Sequence, residues 1–154
     1  MAAGTATGLL SHAVDSAAWA PPWIGQVLTP WLALAWLAGA TTARPGRAGP
    51  LLGLATLAAV TAAYLVASGP RAGELWPVLA AVTLIAGPAY GWAGAAWREG
   101  GRWAGPGLAL LGAALLVEVL SLQLGERLAL ERIGFAAEAA MGLLIIGAGI
   151  RRAG

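Results

Sequence analysis

The sequence lacks cysteine and lysine, has one histidine and one phenylalanine, and is only 10% charged. Without cysteine, the chain cannot form disulfides, thiolate metal sites or cysteine nucleophiles. One histidine and seven acidic residues make a transition-metal site with several ligands improbable. We find no catalytic or cofactor motif, so no cofactor and no enzyme activity are expected.

What remains is strongly apolar. Hydrophobic residues make up 59% of the 154 residues, whereas soluble domains carry roughly a quarter charged residues. A soluble fold of this size could not bury so much apolar surface, and the surplus must face lipid. The sequence therefore predicts an all-α, polytopic transmembrane helix bundle, with residues 1–154 as a single transmembrane domain and the lipid bilayer as its surroundings.

Apolar runs between arginine, proline and glycine give the helices. A membrane span needs about 20 mostly apolar residues, and five to six candidates are joined by short loops. They are a weak segment at 2–14 and stronger ones at 23–43, 50–68, 75–97, 103–124 and 133–150. Whether residues 2–14 cross the membrane is left open.

Two helices carry small residues at four-residue spacing. They are Ala55, Ala59 and Ala63 in the third helix, and Gly87 and Gly91 in the fourth. Such stripes allow close approach of a neighbouring helix. We interpret them as packing surfaces.

The arginines predict the orientation. Six lie on one side of the predicted bundle and three on the other, and the richer side is expected in the cytoplasm. The first group is Arg44, Arg47, Arg98, Arg102, Arg151 and Arg152; the second is Arg71, Arg127 and Arg132. The C-terminus is therefore predicted to be cytoplasmic. Because the arginines are scattered at helix ends, nucleic-acid binding is not expected.

The last two helices each carry one carboxylate at membrane depth, Glu118 and Glu138. An ionisable group there needs a partner, a ligand or a water-filled cavity. The predicted orientation brings both to the outer side. His12 and Asp15 also reach that side if the first segment runs outward, and Ser121 shares a helix face with Glu118.

Three interpretations of this cluster stay open. These side chains could line an outward-facing pocket that binds or translocates a cation or a small, cationic solute. Each glutamate could instead form a structural hydrogen bond with a neighbouring helix. One of them could also lie near the interface and extend its carboxylate to water.

The glycine, proline and tryptophan punctuation resembles that of an uncharacterised family. The positions are Ala20-Pro21-Pro22-Trp23, Trp31 to Gly39, Gly87-Pro88-Ala89-Tyr90-Gly91, Gly94, Trp97-Arg98 and Glu118. The resemblance is to small actinobacterial multipass membrane proteins, domain of unknown function 6518. It implies a bacterial inner-membrane location and no known activity. A more distant architectural likeness is to the substrate-binding membrane subunits of energy-coupling-factor vitamin transporters.

Three functions are therefore compared. The leading hypothesis is a carrier, or the binding subunit of one, with a small solute or cation as ligand. The alternative is a non-catalytic accessory or assembly subunit with a membrane-protein partner or a homo-oligomeric state. The least favoured is an intramembrane lipid-modifying enzyme that uses a carboxylate and His12 as acid and base.

Overall fold

A computed structural model describes residues 2–16, 28–42, 46–69, 74–122 and 129–153. These residues form six α-helices. The helices are α1 (Ala2–Asp15), α2 (Thr29–Ala40), α3 (Ala48–Ser68), α4 (Trp76–Glu99), α5 (Ala104–Leu122) and α6 (Ala129–Ala153). One turn of 3-10 helix, Gly101–Trp103, joins α4 to α5. The predicted all-α helical bundle is confirmed.

Three helical segments are long and apolar enough to cross a membrane, among the residues described. They are Ala48–Ser68, Trp76–Glu99 and Gly101–Val119. Large apolar side chains also cover the outside of the bundle; Val66 is 82% exposed and Ile85 73% exposed. Such an exterior is compatible with a membrane location, where lipid would cover it.

The two ends of the bundle differ in the charged residues that they carry. Arg98 near the end of α4 donates to the carbonyl of Ala40 at the end of α2 (3.2 Å). Arg47, Arg102 and Arg151 adjoin helix ends on the same side, which we call the basic end. The opposite end, where α5 ends and α6 begins, carries the two glutamates, and we call it the acidic end.

Helices α3 and α4 approach through glycine. A Cβ atom added to Gly91 would lie 2.8 Å from the Cα of Gly53, and one added to Gly87 would lie 2.9 Å from the Cα of Leu54. The predicted stripe of Gly87 and Gly91 therefore faces Gly49 and Gly53 of α3. This partner pair has the same four-residue spacing, which is the signal by which the sequence could have revealed it.

The alanine stripe of α3 faces another helix. A Cβ atom on Gly8 of α1 would lie 2.8 Å from the Cβ of Ala63, and one on Gly4 would lie 3.4 Å from that of Ala59. Ala55, one turn earlier, is half-buried. Helix α3 thus packs Gly49 and Gly53 against α4, and Ala59 and Ala63 against α1.

Helix α6 packs almost entirely against α5 among the described elements; besides α5 it touches only the 3-10 turn. Glycines again set the approach: a Cβ atom on Gly112 would lie 2.6 Å from the carbonyl oxygen of Gly142, and one on Gly149 would lie 2.7 Å from that of Gly105. Helix α6 is therefore the outermost helix, held along one face.

The described part of α2 begins at Thr29. The predicted start of this helix, at residue 23, lies outside the described residues. The last helix begins at Ala129, four residues before the predicted start at residue 133.

Candidate functional site: a carboxyl pair at the start of helix α2

Helix α2 is short for a membrane segment. Its 12 residues rise ~18 Å at 1.5 Å per residue, compared with a hydrocarbon core about 30 Å thick. Thr29 at its start and Ala40 at its end are both buried within the bundle, at 8% and 7% exposed. The N–H and C=O groups that an α-helix leaves unpaired at its ends need partners within the protein.

Glu118 of α5 supplies the partners at the start of α2. The backbone N–H of Leu28 donates to one of its carboxyl oxygens, and that of Thr29 donates to the other at 3.0 Å. Neither N–H has a carbonyl four residues earlier to receive it within the described helix. A negative charge there also complements the positive end of the helix dipole. Glu118 is 8% exposed and acts as a cap supplied by another helix.

The other donors in the first turn of α2 are accounted for. Pro30 follows Thr29 and has no N–H. The N–H groups of Trp31 and Leu32 both reach the carbonyl of Leu28, at 3.0 and 3.1 Å. No backbone donor between Leu28 and Leu32 is therefore left without an acceptor.

The last carbonyl groups of α2 also have hydrogen-bond donors. Thr41 donates from its hydroxyl to the carbonyl of Ala38 (2.6 Å), and Thr42 donates to that of Gly39 (2.8 Å). The carbonyl of Ala40 accepts from Arg98. A carboxylate from α5 thus caps one end of α2 and a guanidinium from α4 caps the other, each opposite in sign to the helix dipole.

Glu138 of α6 meets Glu118. The two carboxyl groups lie within hydrogen-bonding reach of each other, at the acidic end of the α5–α6 interface. Glu118 is buried, whereas Glu138 is half-buried. The sequence predicts a common depth for these two residues, and the structure brings their side chains together.

Thr29 is buried at the start of α2, next to Glu118. Thr29 is 8% exposed, and its backbone N–H is one of the two that bind Glu118. Its hydroxyl oxygen is shielded from solvent and has no hydrogen-bond partner among the described residues. The sequence gives no reason to single out Thr29, because its burial depends on helix packing.

His12 lies at the acidic end but in a separate cluster. Its ring nitrogens lie 3.1 Å from the Ser68 hydroxyl and 3.3 Å from the Ser16 hydroxyl. Its ring also meets Tyr64 edge-on at 6.0 Å. Asp15 is the last residue of α1, and its side chain lies outside the described part of the chain.

Ser121 belongs to the last turn of α5, and its side chain also lies outside the described part. Of the five predicted ligand residues, the structure thus brings together Glu118 and Glu138, and it assigns His12 to hydroxyl partners.

The missed partners of Glu118 are backbone groups. The N–H groups of Leu28 and Thr29 lie 90 and 89 residues away in sequence. The proline at the second position of α2 was the available signal, because proline favours the first turn of a helix. That signal locates a helix start, although it does not identify the group that caps it.

The polar side-chain atoms of Glu118 and Glu138 are oxygens, and the described residues around them do not form a multi-ligand metal site. Among the described residues, no three histidine or acidic side chains come together. The acidic end offers two carboxyl groups, and two backbone N–H donors hold one of them in position.

Comparison with known proteins identifies the family without an activity. No curated protein and no solved structure matches the chain. A family model matches residues 2–153, nearly the whole chain, and its description is "Family of unknown function (DUF6518)". The resemblance seen in the glycine, proline and tryptophan pattern is confirmed, and the chain belongs to the DUF6518 family.

Proposed function

We propose that this protein is a small integral membrane protein that binds, and in a cycle translocates, a cation at the Glu118–Glu138 pair. One observation carries the proposal: the two carboxyl groups lie within hydrogen-bonding reach of each other. Two ionised carboxylates have no donor between them, and they repel strongly in a low-dielectric site. The pair therefore needs a cation between its oxygens, and a proton is the smallest that serves.

The two glutamates have different roles in this proposal. Glu118 is anchored, because each of its oxygens accepts a backbone N–H from the start of α2. Glu138 is less buried and belongs to α6, which packs mainly on α5. Glu138 is therefore the group that meets the incoming cation, and a shift of α6 along α5 would open or close the pair.

The setting supports a membrane site. Three segments are long and apolar enough to span a bilayer, and ionisable side chains within membrane helices commonly mark functional sites. Four arginines adjoin the basic end, so we assign that end and the C-terminus to the cytoplasmic side of a bacterial inner membrane. The carboxyl pair then faces the outer side.

The test is native mass spectrometry of the protein extracted in mild detergent from its own membrane. The wild-type chain is expected to retain a cation or a small cationic molecule, and Glu138→Gln is expected to lose it while the secondary structure is unchanged. Glu99→Gln is the matched control, because Glu99 is an exposed glutamate at the opposite end.

Two results would overturn the proposal. If Glu138→Gln retains the same ligand as the wild-type chain, the pair is not the binding site. If the wild-type chain carries no ligand and copurifies stoichiometrically with another membrane protein, the accessory-subunit alternative replaces the carrier. The carboxyl pair would then be a structural contact between α2, α5 and α6.

A further inference from the structure

We infer that the cation is a small monovalent metal ion of the sodium class, and that the Thr29 hydroxyl is a third oxygen ligand beside the carboxyl pair. This rests on the proposed function and names its ligand. The observation behind it is independent of the glutamates: Thr29 is 8% exposed, and its buried hydroxyl oxygen has no partner among the described residues.

An unpartnered buried hydroxyl is unusual. Leaving such a group without a hydrogen bond destabilises a protein by about 1–3 kcal/mol, and most buried polar side chains are paired. The Thr29 hydroxyl oxygen has no hydrogen-bond partner among the described residues. Its lone pairs are therefore available to a ligand.

The ligand set selects the class of ion. Glu118, Glu138 and Thr29 present only oxygen, which favours hard cations over transition metals. Carboxyl groups within hydrogen-bonding reach of each other leave room for a small ion rather than a large one.

Charge favours a single positive charge. Two carboxylates and one monovalent ion leave the site at −1, the same charge as with a shared proton. The start of α2 points two N–H groups at Glu118, and a helix N-terminus behaves as roughly half a positive charge. That helix end stabilises a site that stays negative, which a divalent ion would neutralise.

Thr29→Val tests the hydroxyl directly, because valine keeps the shape and removes only the oxygen. The purified full chain is melted in choline chloride and then with increasing sodium chloride at constant ionic strength, and sodium affinity is measured by calorimetry. Thr29→Ser restores the oxygen and is the matched control. Potassium and calcium are run in parallel.

We expect sodium to raise the melting temperature of the wild-type chain and of Thr29→Ser. Thr29→Val should melt no lower than wild type in choline, since it removes an unpaired buried group. It should also lose sodium affinity by at least about tenfold. Glu138→Gln should lose the sodium response altogether.

The outcomes separate the two claims. If Thr29→Val binds sodium as tightly as wild type, the hydroxyl serves a water molecule only and this inference is wrong, while cation binding at the pair stands. If potassium or calcium replaces sodium at equal concentration, the ion class is wrong. If no cation affects wild type and Glu138→Gln melts identically under all conditions, the proposed function itself fails.

Discussion

Glycines face each other at both the α3–α4 interface and the α5–α6 interface, but the two interfaces differ in the polar groups that they bury. Between α3 and α4, Gly53 and Gly91 bring the two backbones into contact, and the buried polar contact nearby is one neutral hydrogen bond between Thr61 and Thr83 (2.8 Å). Between α5 and α6 the glycine contacts stop short of the acidic end, where Glu118 and Glu138 meet.

This difference indicates that α3 and α6 have different structural roles. Helix α3 packs against α1, α2 and α4, so it is fixed from several sides, whereas α6 is held along one face by α5. Closely packed, neutral interfaces between small residues suit a rigid scaffold. An outer helix that carries half of a carboxyl pair suits the part of the molecule that responds to a ligand.

The largest expected effect is on the scaffold. Gly91→Val should prevent folding or lower the melting temperature severely, because the new side chain would meet the backbone of Gly53 and of Gly49, which cannot move aside. Circular dichroism melts in detergent measure it. Gly147→Ala is the control, since a Cβ atom there meets nothing within 4 Å. A Gly91→Val chain as stable as Gly147→Ala would refute the close α3–α4 packing.

Removing the cap of α2 should have the next largest effect. Glu118→Ala leaves the N–H groups of Leu28 and Thr29 without acceptors, at about 1–3 kcal/mol for each buried donor. We expect the free energy of unfolding, measured by detergent denaturation, to fall by about 2–6 kcal/mol. Glu118→Gln, which keeps one acceptor oxygen, should lose less.

Glu99→Ala is the control for this pair, because Glu99 is exposed and should change stability by less than about 0.5 kcal/mol. Equal stability of Glu118→Ala and Glu99→Ala would contradict the capping role. It would also remove the reason for treating Glu118 as the anchored member of the pair.

Removing the cap at the basic end of α2 should lower the free energy of unfolding by less. Arg98→Gln removes the guanidinium from the Ala40 carbonyl, and we expect a loss of about 1 kcal/mol, the usual worth of a hydrogen bond to a charged group at a helix end. Because Arg98 is exposed, water can replace part of this contact. A loss as large as that of Glu118→Ala would contradict the asymmetry between the two ends.

The smallest loss of stability is expected at the hydrogen bond between α3 and α4. Thr61→Val should cost about 0.6 kcal/mol, the average for a hydrogen bond between membrane helices. Thr83→Val should cost about the same, and the double variant should lose no more than either single change. Additive losses in this double-mutant cycle would mean that the two hydroxyls do not bond to each other.

More of the fold than of the candidate site could be predicted from the sequence. Helices and glycine stripes follow from local composition and spacing, because lipid demands long apolar runs and close approach demands small residues. Trp31 and Trp36 are buried in the core, consistent with packing as their main role. The packing partners Gly49 and Gly53 share the spacing that reveals Gly87 and Gly91.

The site depends on contacts that spacing does not encode. Glu118 and Glu138 can be recognised as costly residues at similar depth, although their meeting depends on how α5 and α6 rotate about their axes. The cap at Leu28 and Thr29 is made by backbone groups, which leave no side-chain signal. The Thr29 hydroxyl stands out only once its burial is known.

The most direct test of the account is whether the side chains at positions 118 and 138 are neighbours in the membrane. Since the chain contains no cysteine, Glu118→Cys with Glu138→Cys can be treated with a short bifunctional thiol reagent in native membranes. Val117→Cys with Glu138→Cys is the control, because Val117 is 64% exposed and lies on another face of α5. We predict rapid intramolecular cross-linking of the first pair and little of the second. Equal or absent cross-linking of both pairs would contradict the carboxyl pair on which the proposed function depends.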